Sequence, residues 1–418
     1  MVVFLLGFFM VKKFFLGHFR PAAMRYGPAG SLHSGSKMVS LRSRLANYTQ
    51  RRSAAVEKYP FRKVTNPDLA GLYTDEMAIV YSWANGSSPK YIDLKLKACR
   101  RTYGASALKC KKDWRLERSR DSGEILFSLR SIGKNMPWFN GNVYIVTATG
   151  EGPEGLDYSN PKLHLVHQKN VMPPENVPSF CNDCQEYYFN NIPELKDRFI
   201  VMDDDMFIGR LAPPGVFLSQ FGGPVLYVEK ELVKDGGICP CIEGHVWRCS
   251  VCKTMKMFED FFGPGAAPFH YMKHSPRVYS RQVIDYIHSI PTFDYNIRKR
   301  GCIHPFRSVE LVQFDFLHHH VLMQTALHDF SVAKGWSDDM NLVLLEGKDL
   351  GAWQKLTQEW AGGKSTPLFF AINDEGWDNC AVGDVLLEFL KRLYPIPSRF
   401  EKGSAVNHIK LSNCRYNK

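Results

Sequence analysis

Nowhere does this 418-residue chain hold the roughly 20 consecutive apolar residues that a spanning helix needs. The nearest approach is the N-terminal "MVVFLLGFFMVKKFFLGHFR", where ten apolar residues are cut short by Lys12 and Lys13. A multi-span membrane protein is excluded, and this leader fits a signal-like region or short signal anchor over residues 1–20 better than an ordinary transmembrane helix. Long Lys/Arg runs and aromatic-basic repeats are also missing, which argues against nucleic acid as a partner. No repeat at 20 to 50 residues is apparent, so a solenoid is not expected.

What is present is ordinary globular composition, 44% hydrophobic and 23% charged, which argues against disorder. Lys plus Arg is 53 against 42 Asp plus Glu, a formal +11 compatible with anionic partners such as nucleotide sugars, phosphates, acidic glycans or membrane surfaces. Eleven cysteines cluster as "CNDC" (Cys181, Cys184) and "CPCIEGHVWRCSVC" (Cys239, Cys241, Cys249, Cys252). In a reducing compartment the second cluster reads as a zinc site with His245 as spare ligand; in a secretory lumen it reads as local disulfides, which the leader favours. Residues 21–70 are basic and Ser/Arg-rich and read as a stem or linker, with "NYT" at Asn47 a glycosylation sequon usable only in a lumen.

Compact structure is expected from about Met77. "MAIVYSW", "GNVYIVTA", "PKLHLVHQ" and "DRFIVMDDD" read as buried strands; "GEILFSLRSIGKNMPWF" and "FCNDCQEYYFNNIPEL" read as helices between them. Strands alternating with helices predict an α/β domain with a largely parallel sheet. From Gly222 to Gly265 the pattern turns irregular and cysteine-bearing, like an insertion. Helical segments "SRQVIDYIHSIPTF" and "DFLHHHVLMQTALHDF" follow, then a strand, "PLFFAIND", and an amphipathic helix, "GDVLLEFLKRLYP".

Ligands of open α/β sheets collect beyond the carboxyl ends of the strands, where Asp203, Asp204 and Asp205 would lie. Alternation along extended chain puts Asp203 and Asp205 on one face, a costly pairing unless one is protonated or a cation lies between them. Magnesium or manganese bridging to a diphosphate is one resolution. A solvated acidic turn paired with Arg198 or Arg210 is the other, which the apolar strand in front disfavours. At the end of the first strand, "YSWANGSSP" offers Trp83 as a stacking face, with Asn85 and Gly86 as a turn that could use positive φ. Around a helix start, Arg120, Asp121 and Glu124 either bind an anion or cap the helix, with Asp121 or Ser122 as the cap; Arg130 lies beyond what capping explains. "HYMKHSPRVYSRQ" gathers His270, His274, Arg277 and Arg281, and His274 is the candidate base or charge-stabilising donor. His318, His319 and His320 point in three directions within an apolar helix and are not expected to bind metal.

In this order the motifs resemble the Stealth family of hexose-1-phosphate transferases, which includes bacterial capsule polymerases and the catalytic α/β subunit of the Golgi N-acetylglucosamine-1-phosphotransferase. "MAIVYSWANGSSP" (77–89) is similar to the first conserved region, and residues 118–217 resemble the second through "RDSGEILFSLRSI", "PKLHLVHQKNVMP" and "IPELKDRFIVMDDDMFIGR". "HSP" and "FRS" within 270–325 match the third weakly, and "FFAINDEGWDN" with "LKRLYPIPSRFEK" (366–402) resembles the fourth. Ser88 stands where the family usually has Asp, and Asp203 where it usually has Asn.

The resemblance implies a catalytic domain over 71–402, a nucleotide-sugar-transferase-like fold with the cysteine-bearing insertion at 222–265, and a tail at 403–418. It implies transfer of a sugar 1-phosphate from a nucleotide diphosphate sugar to an acceptor glycan hydroxyl, in a Golgi or secretory lumen. The donor it favours is UDP-N-acetylglucosamine, with GDP-mannose open. Catalytic roles then fall to Asp204, Asp205, His274, Arg281 and Arg307; the donor pocket to Trp83, Asn85, Gly86, Arg120, Asp121, Glu124, Arg130, Asn373 and Asp374; a divalent cation (Mg or Mn) to Asp203 and Asp205. A metal-dependent glycosyltransferase making a simple glycoside, or a non-catalytic glycan-binding protein, stays open on the acidic cluster alone.

Overall fold

The computed structural model describes residue 74 and residues 77–104, 121, 123–233, 239, 241, 245–264, 266, 269–334, 340–345, 350–363, 366–374 and 380–403, all within one unit spanning 51–418. The leader, the whole stem with Asn47, Arg120 and nearly all of the tail lie outside the described residues.

The chain opens with β1 (Ala78–Ser82) and α1 (Pro89–Tyr103), then α2 (Glu124–Asn135), β2 (Val143–Thr147), β3 (Leu163–His167), α3 (Asn182–Glu186), β4 (Arg198–Asp203) and β5 (Met206–Ile208). After these come β6 (Val225–Leu232), α4 (Val246–Phe262), β7 (His270–Met272), β8 (Arg277–Ser280), α5 (Arg281–His288) and α6 (Phe314–Thr325). The last elements are β9 (Ser331–Lys334), β10 (Met340–Leu345), α7 (Leu350–Ala361), β11 (Phe369–Asp374) and α8 (Cys380–Leu393).

The main sheet runs in the order β3-β2-β1-β4-β8, parallel except for the antiparallel edge strand β8. β1, β2, β8 and the middle of β4 are buried on both faces, so they read as apolar runs without polar alternation, while the edge strand β3 is partly exposed. Ile79, Tyr81, Ile145, Ile200 and Met202 face α2, while Val80, Val146, Phe199 and Val201 face α4, α5 and α6. A second sheet, β10-β11-β5, packs its far face on α7 and α8. Arg130 of α2 is a buried pin between these parts: its guanidinium makes a two-pronged ion pair with Glu401 (2.9 and 2.6 Å) and reaches the Tyr394 carbonyl. That position is structural, remote from any ligand role.

Three expectations change. The segment 222–265 is no irregular appendage: it supplies β6 and the 17-residue α4, whose Val251, Met255 and Phe258 sit in the main core. The helix expected across "FCNDCQEYYFNNIPEL" stops at Glu186 and resumes only as a 3₁₀ turn at Phe189–Asn191. Residues 184–190 are all buried, which one regular helix at a core surface cannot provide, so the chain unwinds to bury Tyr187, Tyr188 and Phe189 together. The cysteine reading narrows as well. Cys184 pairs with Cys302, and Cys181 is a buried free thiol. Cys239–Cys252 and Cys241–Cys249 are disulfides, which removes the zinc reading.

His318, His319 and His320 are core residues of α6. Nδ1 of His319 and of His320 hydrogen-bonds the carbonyl one turn back, of Asp315 (2.7 Å) and Phe316 (2.8 Å), and the backbone N–H groups of Ser280 and His270 donate to Nε2 of His318 and His320. Burial holds all three below their ordinary pKa, His319 to about 4 and His320 to about 3. Neutral imidazoles stabilise the fold above about pH 6.5, and that contribution is lost as pH falls from there towards the depressed folded values. Each should cost on the order of 2 kcal/mol at pH 5. The urea midpoint should therefore fall steeply between pH 7.5 and 5 and less steeply in His319→Gln; equal slopes in the two proteins would contradict the assignment.

Candidate active site

The strand order reverses between β1 and β4: β2 and β3 build outward on one side of β1, β4 and β8 on the other. At such a reversal the loops leaving neighbouring strands diverge and open a crevice. Ser82, the last residue of β1, lies in register with Asp203, the last of β4. The three aspartates thus stand at the switch point, where the chain crosses from the main sheet into β5 and the second sheet.

Their mutual repulsion is resolved differently for each. Burial would raise Asp203, but Arg277, His274 and Arg307 outweigh it and hold its carboxyl below the usual range. Arg277 lies 3.5 Å from Asp203 and 3.1 Å from Glu186, and Asn182 donates to Asp203 at 3.2 Å. Asp204 faces the other way; burial first, then Asp205, Glu124, Asp121 and Asp203, push it well above the carboxylate range. Asp205 points at His274, its Oδ2 4.0 Å from Nε2, while its Oδ1 is buried with no hydrogen-bond partner. Burial pulls His274 down, but the Asp205 and Asp203 charges prevail and raise it.

Beneath this layer lies a buried charged network. Burial lifts Glu186 to about 8 even against the attraction of Arg277, and it accepts a 2.5 Å hydrogen bond from the Tyr279 hydroxyl. Asp183, lifted by burial to about 6, accepts the Phe314 N–H at the start of α6. Arg307 stands among Cys181, Asp183 and Asp203. Phe306 beside it stacks on Phe180 at 5.4 Å.

Several other sequence candidates converge here, and some do not. β11 brings the backbone of Asn373 and Asp374 to this end, since the Ile372 N–H donates to the Asp205 carbonyl. Glu124 opens α2 beside Asp204. Asp121 accepts from the Gly123 N–H, and the cap of α2 is left-handed Gly123 with no side-chain cap bond, so Asp121 is not the cap; Ser122 lies outside the described residues. Asn85 is used in its own turn, accepting the Ser87 N–H, and Gly86 is not among the positive-φ glycines. Trp83 is only 5% exposed and packed in the core around Ile79 and Ile125, so its ring faces are not open to a base. Arg281 starts α5 at the opposite end of the sheet, because β8 runs antiparallel to β4, and it donates to the Leu195 carbonyl. Arg277, four residues earlier, occupies the position foreseen for it.

Ser88 in place of the family's Asp has a physical reason. It caps α1 through the Tyr91 N–H and donates to Glu151 Oε2 at 2.6 Å, where a carboxylate would meet a carboxylate. Asn182 and Glu186 were not singled out in the sequence, and nothing in their spacing marks them. Arg277 was gathered with His270, His274 and Arg281, but its place at the site follows only once β8 is known to run against β4.

One oxygen each from Asp203 and Asp205 and one imidazole nitrogen of His274 lie within 4.8 Å of one another. With the orphaned Asp205 Oδ1, these residues fit a divalent cation. Two carboxylates and an imidazole suit manganese better than magnesium, which prefers an all-oxygen shell.

Residues 118–225 match the family model of Stealth protein conserved region 2, so the resemblance read from the motifs is borne out. The chain carries a Stealth conserved region 2. It is 26% identical over 339 residues to an exopolysaccharide phosphotransferase of Streptomyces coelicolor, covering 80% of this chain and 53% of the relative. It is 29% identical over 164 residues to a capsular polysaccharide phosphotransferase of Actinobacillus pleuropneumoniae (38% and 43%). Against the N-acetylglucosamine-1-phosphotransferase subunits alpha/beta of Homo sapiens it is 30% identical over 154 residues (37% and 12%). The chain spans about half or less of the length of these relatives.

Calorimetric titration with Mn²⁺ should show a single site, and Asp205→Asn should weaken it about tenfold or more. Wild-type affinity in the variant would remove the cation from this site.

Proposed function

We propose that the chain transfers a sugar 1-phosphate, of an N-acetylhexosamine or hexose, from a nucleotide diphosphate sugar to a hydroxyl of an acceptor glycan, UDP-N-acetylglucosamine being the favoured donor. The observation that supports this best is the His274–Asp205 pair beside Arg277 and Asp203 at the strand switch point: a proton acceptor, its orienting carboxylate and a fixed positive charge in one crevice.

The acceptor hydroxyl attacks the phosphorus next to the sugar. Its O–P bond forms as the P–O bond to the nucleoside monophosphate breaks, and the sugar's anomeric C–O bond stays intact. His274 takes the hydroxyl proton at Nδ1, the ring nitrogen that does not face Asp205, while Asp205, opposite Nε2, orients the ring and stabilises the imidazolium. Arg277 and Arg307 offset the charge of the phosphates, and the amide-bearing turn after β1 and the start of α2 shape the donor side. Such chemistry draws on positioning and charge neutralisation rather than on a covalent intermediate. A divalent cation held by Asp203 and Asp205 would neutralise the diphosphate. Disulfides such as Cys184–Cys302, Cys239–Cys252 and Cys241–Cys249 support a secretory lumen such as the Golgi; among the described residues no helix is long and apolar enough to cross a membrane.

Incubation with a panel of nucleotide sugars and a glycan acceptor should release nucleoside monophosphate and leave a phosphodiester in the product. His274→Asn and Asp205→Asn should each lower turnover by about 10²- to 10⁴-fold with an unchanged melting temperature. Release of nucleoside diphosphate with a simple glycoside as product would replace this reading by that of a glycosyltransferase.

A further inference from the structure

Helix α4 begins inside a double disulfide clasp. Cys241–Cys249 and Cys239–Cys252 close loops 8 and 13 residues apart in sequence, and Trp247 lies within the inner one. The Trp247 side chain is 52% exposed, yet its ring is not loose. It stacks on Tyr271 of β7 at 5.4 Å between centroids and 27° between planes. Tyr271 is itself buried, and the charges of Arg248 and Glu231 act on its hydroxyl in opposite senses. The outcome is a half-exposed indole backed by one buried ring.

We propose that Trp247 is the platform of an acceptor subsite that takes a pyranose ring of the glycan. This deepens the transferase reading and rests on it. A sugar offers one apolar C–H face to an aromatic ring and hydroxyls around its edge; the indole supplies the stacking face, and the charges of Arg248 and Glu231, which act on the tyrosine beneath it, supply polar partners nearby. The clasp holds the ring in place before binding, so little ordering cost is left to the ligand. Location argues for the acceptor in particular: β7 carries Tyr271 and ends at Met272, and His274 follows two residues later, its Cα at most about 11 Å from that of the tyrosine that backs the indole. A glycan whose reacting hydroxyl sits at His274 can lay a further sugar on Trp247. This segment, 222–265, is the one the family resemblance left without a role.

Chitotetraose, cellotetraose and mannotetraose titrated into the full chain, followed by tryptophan fluorescence and calorimetry, test this without any turnover. At least one should bind, Trp247→Ala should weaken it about tenfold, and Trp247→Phe should retain most of the affinity. In transfer assays Trp247→Ala should raise KM for that acceptor class at unchanged kcat, with an unchanged melting temperature. Wild-type binding in Trp247→Ala, or no binding of any tetrasaccharide to the wild type, would overturn the subsite. So would a change in sedimentation of Trp247→Ala, which would mark the ring as a contact between copies of the chain. Trp247-dependent binding without nucleoside monophosphate release would keep the subsite and discard the transferase reading.

Discussion

One buried guanidinium holds the candidate site together. Arg277 lies between Glu186 and Asp203, and without it the floor of the crevice would be a cluster of carboxylates in a low-dielectric interior. The positive charge is matched by one negative charge: Asp203 is held ionised, while Glu186 is pushed towards its protonated form and shares a short hydrogen bond with Tyr279. That division leaves Asp205 free to act on His274, because neither Arg277 nor Asn182 is spent on it. The acidic triplet is thus three carboxylates in three electrostatic states, set by which way each faces.

The surroundings follow from the need to fix that guanidinium. Glu186 and Asn182 come from α3, Tyr279 from β8, and Arg307 from the loop before α6. The Cys184–Cys302 disulfide joins α3 to the stretch just ahead of Arg307 across 118 residues of sequence. In the chain-entropy view a closure of that length stabilises by about 5 kcal/mol. Its structural effect is to tie the element that holds Arg277 to the one that carries Arg307.

Much of this was legible in the sequence, and the failures have reasons. Buried strands ending in "DDD" and "YSW" could be read because parallel strands covered on both faces are continuous apolar runs. α1 was missed because "IDLKLKA" alternates like a strand, although Tyr91, Lys95, Ala98 and Cys99 share its buried face. Arg281 was preferred to Arg277 because strand direction cannot be read from a four-residue strand; an antiparallel β8 puts the two arginines at opposite ends of the sheet. Trp83 read as a stacking surface, but a Trp closing a fully buried strand is more economically packed beneath the site than presented to it. Position along the chain located the crevice, while topology decided which side chains enter it.

The same topology explains why segment 222–265 matters. It begins and ends next to the site: β6 pairs with β7, and β7 leads to His274. A segment that forms its own strand, helix and two disulfides could have been an outlying module. Here α4 instead buries Val251, Met255 and Phe258 against the sheet face that also receives α5 and α6. Its position is therefore fixed by the core, and its exposed N-terminal end is fixed with it. Trp83, Tyr279 and Phe199 fill the core where both faces of a sheet must be covered. Trp247, exposed like Phe221 and Tyr295, differs from them in lying within a double disulfide clasp and against a buried tyrosine, which fixes its indole for a ligand face brought there by the reaction next door.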